Sequence, residues 1–153
     1  MRSSGHSSST SACGWVRTGQ RVSDVVDSAD VQAANTSRID KPWGHELRWA
    51  ITDRYLGKLI HVNRGQQLSL QYHVQKDESI YIASGLLDLV LEDHAGEVRV
   101  HRMTPGMSAR VRPGRRHRFI AVEDTDLFEV SSPEIDDVVR LEDSYGREGT
   151  SSA

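Results

Sequence analysis

From Leu47 onward, short runs of alternating apolar and polar residues recur between turn signals. Leu47-Arg48-Trp49-Ala50-Ile51 alternates, and Tyr55 to Val62 does so less cleanly. Asn63-Arg64-Gly65 turns the chain into Leu68 to His73, and Ser79-Ile80-Tyr81-Ile82-Ala83 leads through Ser84-Gly85 into Leu86 to Leu91. Asp93-His94-Ala95-Gly96 reads as a hairpin loop before Val98-Arg99-Val100. Ala109-Arg110-Val111 enters Pro113-Gly114, and Arg118 to Val122 and Leu127 to Val130 complete the series. Residues two apart on a strand share a face, so this pattern predicts many half-buried strands. No helical period persists for three turns, and nothing repeats at a solenoid period. The predicted fold is an all-β jelly-roll barrel.

The ends differ from the middle. Met1 to Ser11 is dominated by serine and cannot bury enough surface to order itself. Gly14 to Arg38 has Val22, Val25, Val26 and Val31 interrupted by Ser, Asp and Asn, so residues 1–40 are expected to be a flexible or partner-docked arm. The folded domain is expected over 41–147, opening near Lys41-Pro42-Trp43-Gly44, with 148–153 as a tail. A length of 153 residues supports one domain with one modest core. Net charge of −3 argues against nucleic-acid binding. No apolar run approaches the roughly 20 residues needed to span a bilayer. With Arg2 but no apolar segment after it, and one cysteine (Cys13) unable to pair internally, the expected compartment is the cytoplasm.

Chemistry concentrates between Gly65 and His117. One cluster reads Gly65-x5-Gln71-x-His73-x4-Glu78-x6-Gly85, and a second reads Gly106-x6-Pro113-Gly114-x2-His117. Gln71 and His73 can aim an amide oxygen and an imidazole nitrogen at one point, while Glu78 returns on the next strand. Two imidazoles, a carboxylate and an amide oxygen suit one divalent ion: zinc first, with iron(II), manganese, cobalt or nickel as alternatives.

This spacing resembles the cupin superfamily, in which two glycine-bounded motifs on facing strands bind one metal. Gln71 stands where the usual first motif has histidine. That feature is similar to phosphomannose isomerases, whose runs look like Leu68-Ser69-Leu70-Gln71-Tyr72-His73. Three runs most resemble the C-terminal cupin domain of the type II mannose-6-phosphate isomerase/mannose-1-phosphate guanylyltransferase family. These are Lys41-Pro42-Trp43-Gly44, Gly65-Gln66-Gln67-Leu68-Ser69-Leu70-Gln71, and the closing Asp136 to Arg147 with its Tyr145-Gly146-Arg147. The family core, Gln-x-His-His-His-Arg-x-Glu-His-Trp, is matched here at Gln71, His73 and Glu78. Val74, Gln75, Lys76, Ser79 and Ile80 depart from it. Arg112 stands where proline is usual and Ala121 where asparagine is. The family's nucleotidyltransferase domain lies outside these 153 residues, so nucleotide-sugar synthesis is not carried over.

Isomerising an aldose to a ketose needs a polarised carbonyl and a base that moves a proton between adjacent carbons. Lys58, Lys76 and His61 are the candidate bases; a lysine serves only if burial or a neighbouring cation lowers its pKa. Arg110, Arg112, Arg115, Arg116 and Arg118 bracket His117, and arginine forks suit phosphate or carboxylate. Arg110, Arg112 and Arg116 are therefore expected to grip an anionic small-molecule substrate. The leading expectation is a metal-dependent, phosphomannose-isomerase-like enzyme acting on a small anionic carbohydrate-like substrate. The alternatives are a metal cupin of another pathway (an oxygenase or specialised-metabolism enzyme) and a non-catalytic sugar- or effector-binding cupin. The resemblance also implies a homodimer, with no membrane or nucleic-acid partner.

Overall fold

The computed structural model describes residues 36–150. The expected arm falls almost wholly outside them. Among the described residues there is no helix, and the strands form two antiparallel six-stranded sheets. The first contains β1 (Ser37–Lys41), β2 (Gly44–Ile51), β3 (Leu56–Val62), β5 (Glu78–Ser84), β8 (Ser108–Val111) and β10 (Thr125–Ser131), in the order β1-β2-β3-β10-β5-β8. The second contains β4 (Leu70–Tyr72), β6 (Leu87–Glu92), β7 (Val98–Met103), β9 (His117–Ala121), β11 (Val139–Glu142) and β12 (Gly149–Thr150), in the order β12-β11-β4-β9-β6-β7. The expected jelly roll is present.

Two boundaries differ from expectation. Ordered pairing begins at Ser37 rather than Lys41, because β1 pairs along its whole length with β2. At the other end, Gly149–Thr150 pairs with Val139–Arg140 inside the expected tail.

Alternation decides which residues enter the barrel. On β5, Glu78, Ile80 and Ile82 are buried while Ser79, Tyr81 and Ala83 are exposed. On β10, Leu127 and Glu129 point in and Phe128 and Val130 point out. The inward apolar residues form a core of Trp43, Ile60, Val62, Ile82, Leu87, Leu89, Phe119 and Leu127, with others around them. Burying such side chains stabilises the fold by about 1.5–3 kcal/mol each. Gly85 permits a tight corner beside this core. Its φ is +87°, and a Cβ there would lie 2.1 Å from the Asp124 carbonyl oxygen.

Inward positions are not uniformly apolar. Register places Lys58 opposite Glu129, and Arg48 opposite Lys58, in one row across the first sheet. The next row toward the apolar end carries Ile60, Leu127 and Ile82. One barrel interior thus has a charged end and an oily end.

Candidate metal centre

The charged end is assembled by two local devices. The Asp137 carboxylate accepts backbone N–H bonds from Val74 (3.0 Å), Gln75 (2.6 Å) and Lys76 (2.8 Å), fixing the turn between β4 and β5. Gly114, in a turn at φ +77°, donates its N–H to the His73 carbonyl at 2.7 Å, tying the second glycine-bounded motif to the first. Across the second sheet, β4 then pairs Gln71 with His117 on β9.

These contacts bring His73, Glu78 and His117 together, all buried, with candidate donor atoms within 4.8 Å of one another. His73 Nε2 lies 3.5 Å from Glu78 Oε2, and His117 Nε2 lies 3.3 Å from Glu78 Oε1. Both rings are oriented from behind. His73 Nδ1–H donates to the Asp137 carbonyl, and His117 Nδ1–H donates to the Arg115 carbonyl at 3.0 Å. With Nδ1 carrying the hydrogen, each Nε2 presents a lone pair to the carboxylate. Burial first, and Lys76 and His117 further, hold the His73 pKa below its usual value, although Glu78 and the Asp137 carbonyl oppose them. His73 Nε2 is buried without any hydrogen-bond partner among the described residues. Lone pairs and a carboxylate crowded without a hydrogen between them are what a cation would satisfy. The donor set fits a borderline divalent ion.

Gln71 occupies the expected place in a different orientation. Its Oε1 accepts from the Ser69 hydroxyl at 2.6 Å, and its Nε2 sits 3.4 Å from His117 Nε2. The amide nitrogen, not the oxygen, faces the histidine. Because a serine hydroxyl can donate or accept, the amide can turn end for end and keep its Ser69 bond.

The three residues anticipated as bases part company. Lys58 and Lys76 line the cavity that opens beside the histidines, about 250 Å³ in volume. Both are buried, and both are ion-paired with Glu129, Lys58 at 3.3 Å and Lys76 at 2.6 Å. Lys76 also donates to Glu78 Oε2 at 2.5 Å. Burial alone would lower the Lys76 pKa, but the Glu129 and Glu78 carboxylates outweigh it and raise it above the ordinary lysine value. The condition for a lysine base is therefore not met at Lys76. Glu129 is the mirror case: burial pushes its pKa up, while Lys58 and Lys76 bring it well below the carboxylate range. His61 lies outside the cavity lining, stacked on His45 with ring centroids 5.0 Å apart and bonded to Asp126 at 2.7 Å. Lys58 and His61 are three apart on β3, so strand alternation sends them to opposite faces.

The arginines expected to hold the substrate are also elsewhere. Val111 pairs with Glu78 and faces inward, so its neighbour Arg110 faces outward and pairs with Asp77. Arg116 is bonded to Glu92, and Arg112 is exposed beside Arg110 and Arg115 at an outer cleft. None of Arg110, Arg112 and Arg116 lines the cavity. Its basic wall comes instead from Lys41 on β1, Arg48 on β2, Arg140 on β11 and Arg147 just beyond. With Lys58 and Lys76 that makes six cationic side chains against the four carboxylates Glu46, Glu78, Glu129 and Asp136, so the cavity is net positive. The sequence cue to this wall is the closing run Asp136 to Arg147, which carries Arg140 and Arg147.

Comparison with known proteins agrees with this fold. Residues 58–131 match the model of the cupin domain. The chain belongs to the cupin superfamily. Its cupin domain resembles the xanthan biosynthesis protein XanB of Xanthomonas campestris pv. campestris (strain B100), at 30% identity over 82% of this chain. It also resembles the alginate biosynthesis protein AlgA of Pseudomonas aeruginosa, at 29% identity over 84% of this chain. The chain spans 27% of the length of each of these relatives. Among solved structures, KdgF from Halomonas sp. superposes with a TM-score of 0.57 at 25% identity, covering 66% of this chain and 89% of that one. Oxalate decarboxylase from Bacillus subtilis superposes with a TM-score of 0.62 at 15% identity, covering 70% of this chain and 30% of that one. The latter likeness is one of fold. The cupin match starts at Lys58 and ends at Ser131, so Lys41, Arg48, Arg140 and Arg147 come from strands and turns flanking it.

Proposed function

We propose that this cupin holds one divalent ion through His73, Glu78 and His117, with Gln71 as a fourth donor once its amide has turned. In this reading it acts on a small anionic carbohydrate-like substrate as a phosphomannose-isomerase-like enzyme. The observation that carries the reading is the buried, unpartnered His73 Nε2 facing Glu78 beside a similarly oriented His117. Its relatives named for xanthan and alginate biosynthesis support a carbohydrate substrate. The positive cavity supports an anionic one.

When bound, the ion supplies Lewis acidity toward a carbonyl or two neighbouring oxygens. The chain does the rest. Asp137 and Arg115 carbonyls fix the histidine tautomers, and Lys76 holds one oxygen of Glu78 so that the other faces His117. Trp43, Ile60, Leu68, Phe119, Ile135 and Val138 form the apolar part of the cavity wall. Lys76, kept an ammonium by Glu129 and Glu78, lines the cavity where it can stabilise negative charge on a bound oxygen.

A second reading, a cupin that binds its ligand or performs other metal chemistry, draws on the same lysines. Lys76 is held by both Glu78 and Glu129, which keeps it from acting as a base, so the isomerase reading needs Lys58, paired with Glu129 alone, in that role. One experiment separates the two. Incubation of metal-loaded protein with mannose 6-phosphate and with fructose 6-phosphate in deuterated water should place deuterium on the carbon beside the carbonyl. A fully loaded protein that exchanges no proton and interconverts neither sugar would reject the isomerase and leave the second reading standing.

A further inference from the structure

Arg140 is the one arginine of the cavity wall with no hydrogen bond or ion pair to another side chain among the described residues. Arg48 is bonded to Glu46 at 3.4 Å and Arg147 to Asp143 at 2.7 Å. Its position follows from register. Arg140 pairs with Gln71 across β11 and β4, and Gln71 pairs with His117 across β4 and β9. Residues directly opposite on neighbouring strands share a face. Guanidinium, amide and imidazole therefore stand in one row, and two strand spacings put the Arg140 backbone about 10 Å from that of His117. Burial first, and the nearby Arg147 guanidinium second, lower the Arg140 pKa. A guanidinium nevertheless stays charged in a protein. It is a half-buried cation facing a cavity with its fork unused.

We propose that Arg140, assisted by Arg147, is the anion-recognition residue of this cavity, binding the phosphate monoester or carboxylate of a small hydroxylated ligand whose opposite end lies against His73, Glu78 and His117. This rests on the metal-centre reading above for the ligand's second end, but not for its anionic one. A planar fork gives two parallel bonds to such an oxyanion, which an ammonium cannot. Arg147 is held by Asp143 through both its Nε and its Nη2, so it adds charge from a fixed position while Arg140 supplies the free donors. The cavity volume of about 250 Å³ restricts the ligand to a small molecule.

The test is calorimetric titration of the full chain, loaded with zinc and metal-free, using inorganic phosphate, mannose 6-phosphate, glucuronate and uncharged mannose. Arg140→Ala should weaken phosphate and mannose 6-phosphate binding by about ten- to a hundredfold. Arg140→Lys should recover part of the loss, because it keeps the charge without the fork. Arg110→Ala should bind as the unaltered protein does. Zinc content, measured in parallel, should be the same in all three variants. Tighter binding of glucuronate than of phosphate would support the clamp and identify its anion as a carboxylate. Unchanged anion binding in Arg140→Ala, or no anion binding in the unaltered protein, would overturn the assignment. Should the unaltered protein take up no metal while Arg140→Ala still weakens phosphate binding, the metal-centre reading fails and the clamp survives.

Discussion

Two sets of basic residues divide this barrel. The strip from Arg110 to Arg118 is dense in sequence and dispersed in space, with Arg110, Arg115, Arg116 and Arg118 spent on Asp77, His94, Glu92 and Glu142 and Arg112 exposed. The cavity set, Lys41, Arg48, Lys58, Lys76, Arg140 and Arg147, is scattered over more than a hundred positions and shares one wall. Charge density along a chain says little about where charge gathers. Strand parity and pairing register decide it, because a shift of one residue sends a side chain to the other side of the sheet.

The contrast can be broken by mutation, and the largest effect is expected at its most buried member. Glu129→Gln leaves the Lys58 and Lys76 ammonium groups buried with one compensating charge fewer. It should destabilise the fold by about 3–5 kcal/mol in urea denaturation. A loss under about 1 kcal/mol would mean that the pair is solvated and the cavity is not the low-dielectric site described. Asp143→Asn, at the rim, should cost about 1–2 kcal/mol by weakening bonds to the Arg147 side chain and to the Tyr145 and Arg147 backbone. The Arg147 side chain, with those backbone N–H bonds, holds the Asp143 pKa below its usual 3.8 despite burial. A depressed carboxylate contributes stability above its unfolded value and loses it as pH falls through its folded one. The gap between the unaltered protein and Asp143→Asn should therefore be full at neutral pH and close only below about pH 4. A gap that widened on acidification would contradict the pairing. Least of all, Arg110→Ala should leave the denaturation midpoint where it was, since exposed ion pairs contribute little.

Much of this fold was legible. Alternation marks the strands from Leu47 to Val130, and the glycine frames alone place His73, Glu78 and His117 in register. What stayed hidden had physical causes. β1 is short and polar, and β11 alternates for only four residues with the parity reversed, its Leu141 exposed and its Arg140 on the cavity wall. His61 is near Lys58 in sequence, but an odd separation on β3 sets the two on opposite faces. Gln71 could be placed but not oriented, because which end of the amide faces His117 depends on Ser69. Arg140 gains its position only through its pairing with Gln71, a contact between residues 69 positions apart that no local pattern encodes.

The most direct measurement is the metal content of the protein purified without added metal, by inductively coupled plasma mass spectrometry, alongside His73→Ala and His117→Ala. About one equivalent of a divalent transition metal per chain is expected in the unaltered protein, with little or none in either variant. Protein that stays metal-free after incubation with zinc, manganese or iron(II), or histidine variants that retain the full equivalent, would contradict a centre built on His73, Glu78 and His117.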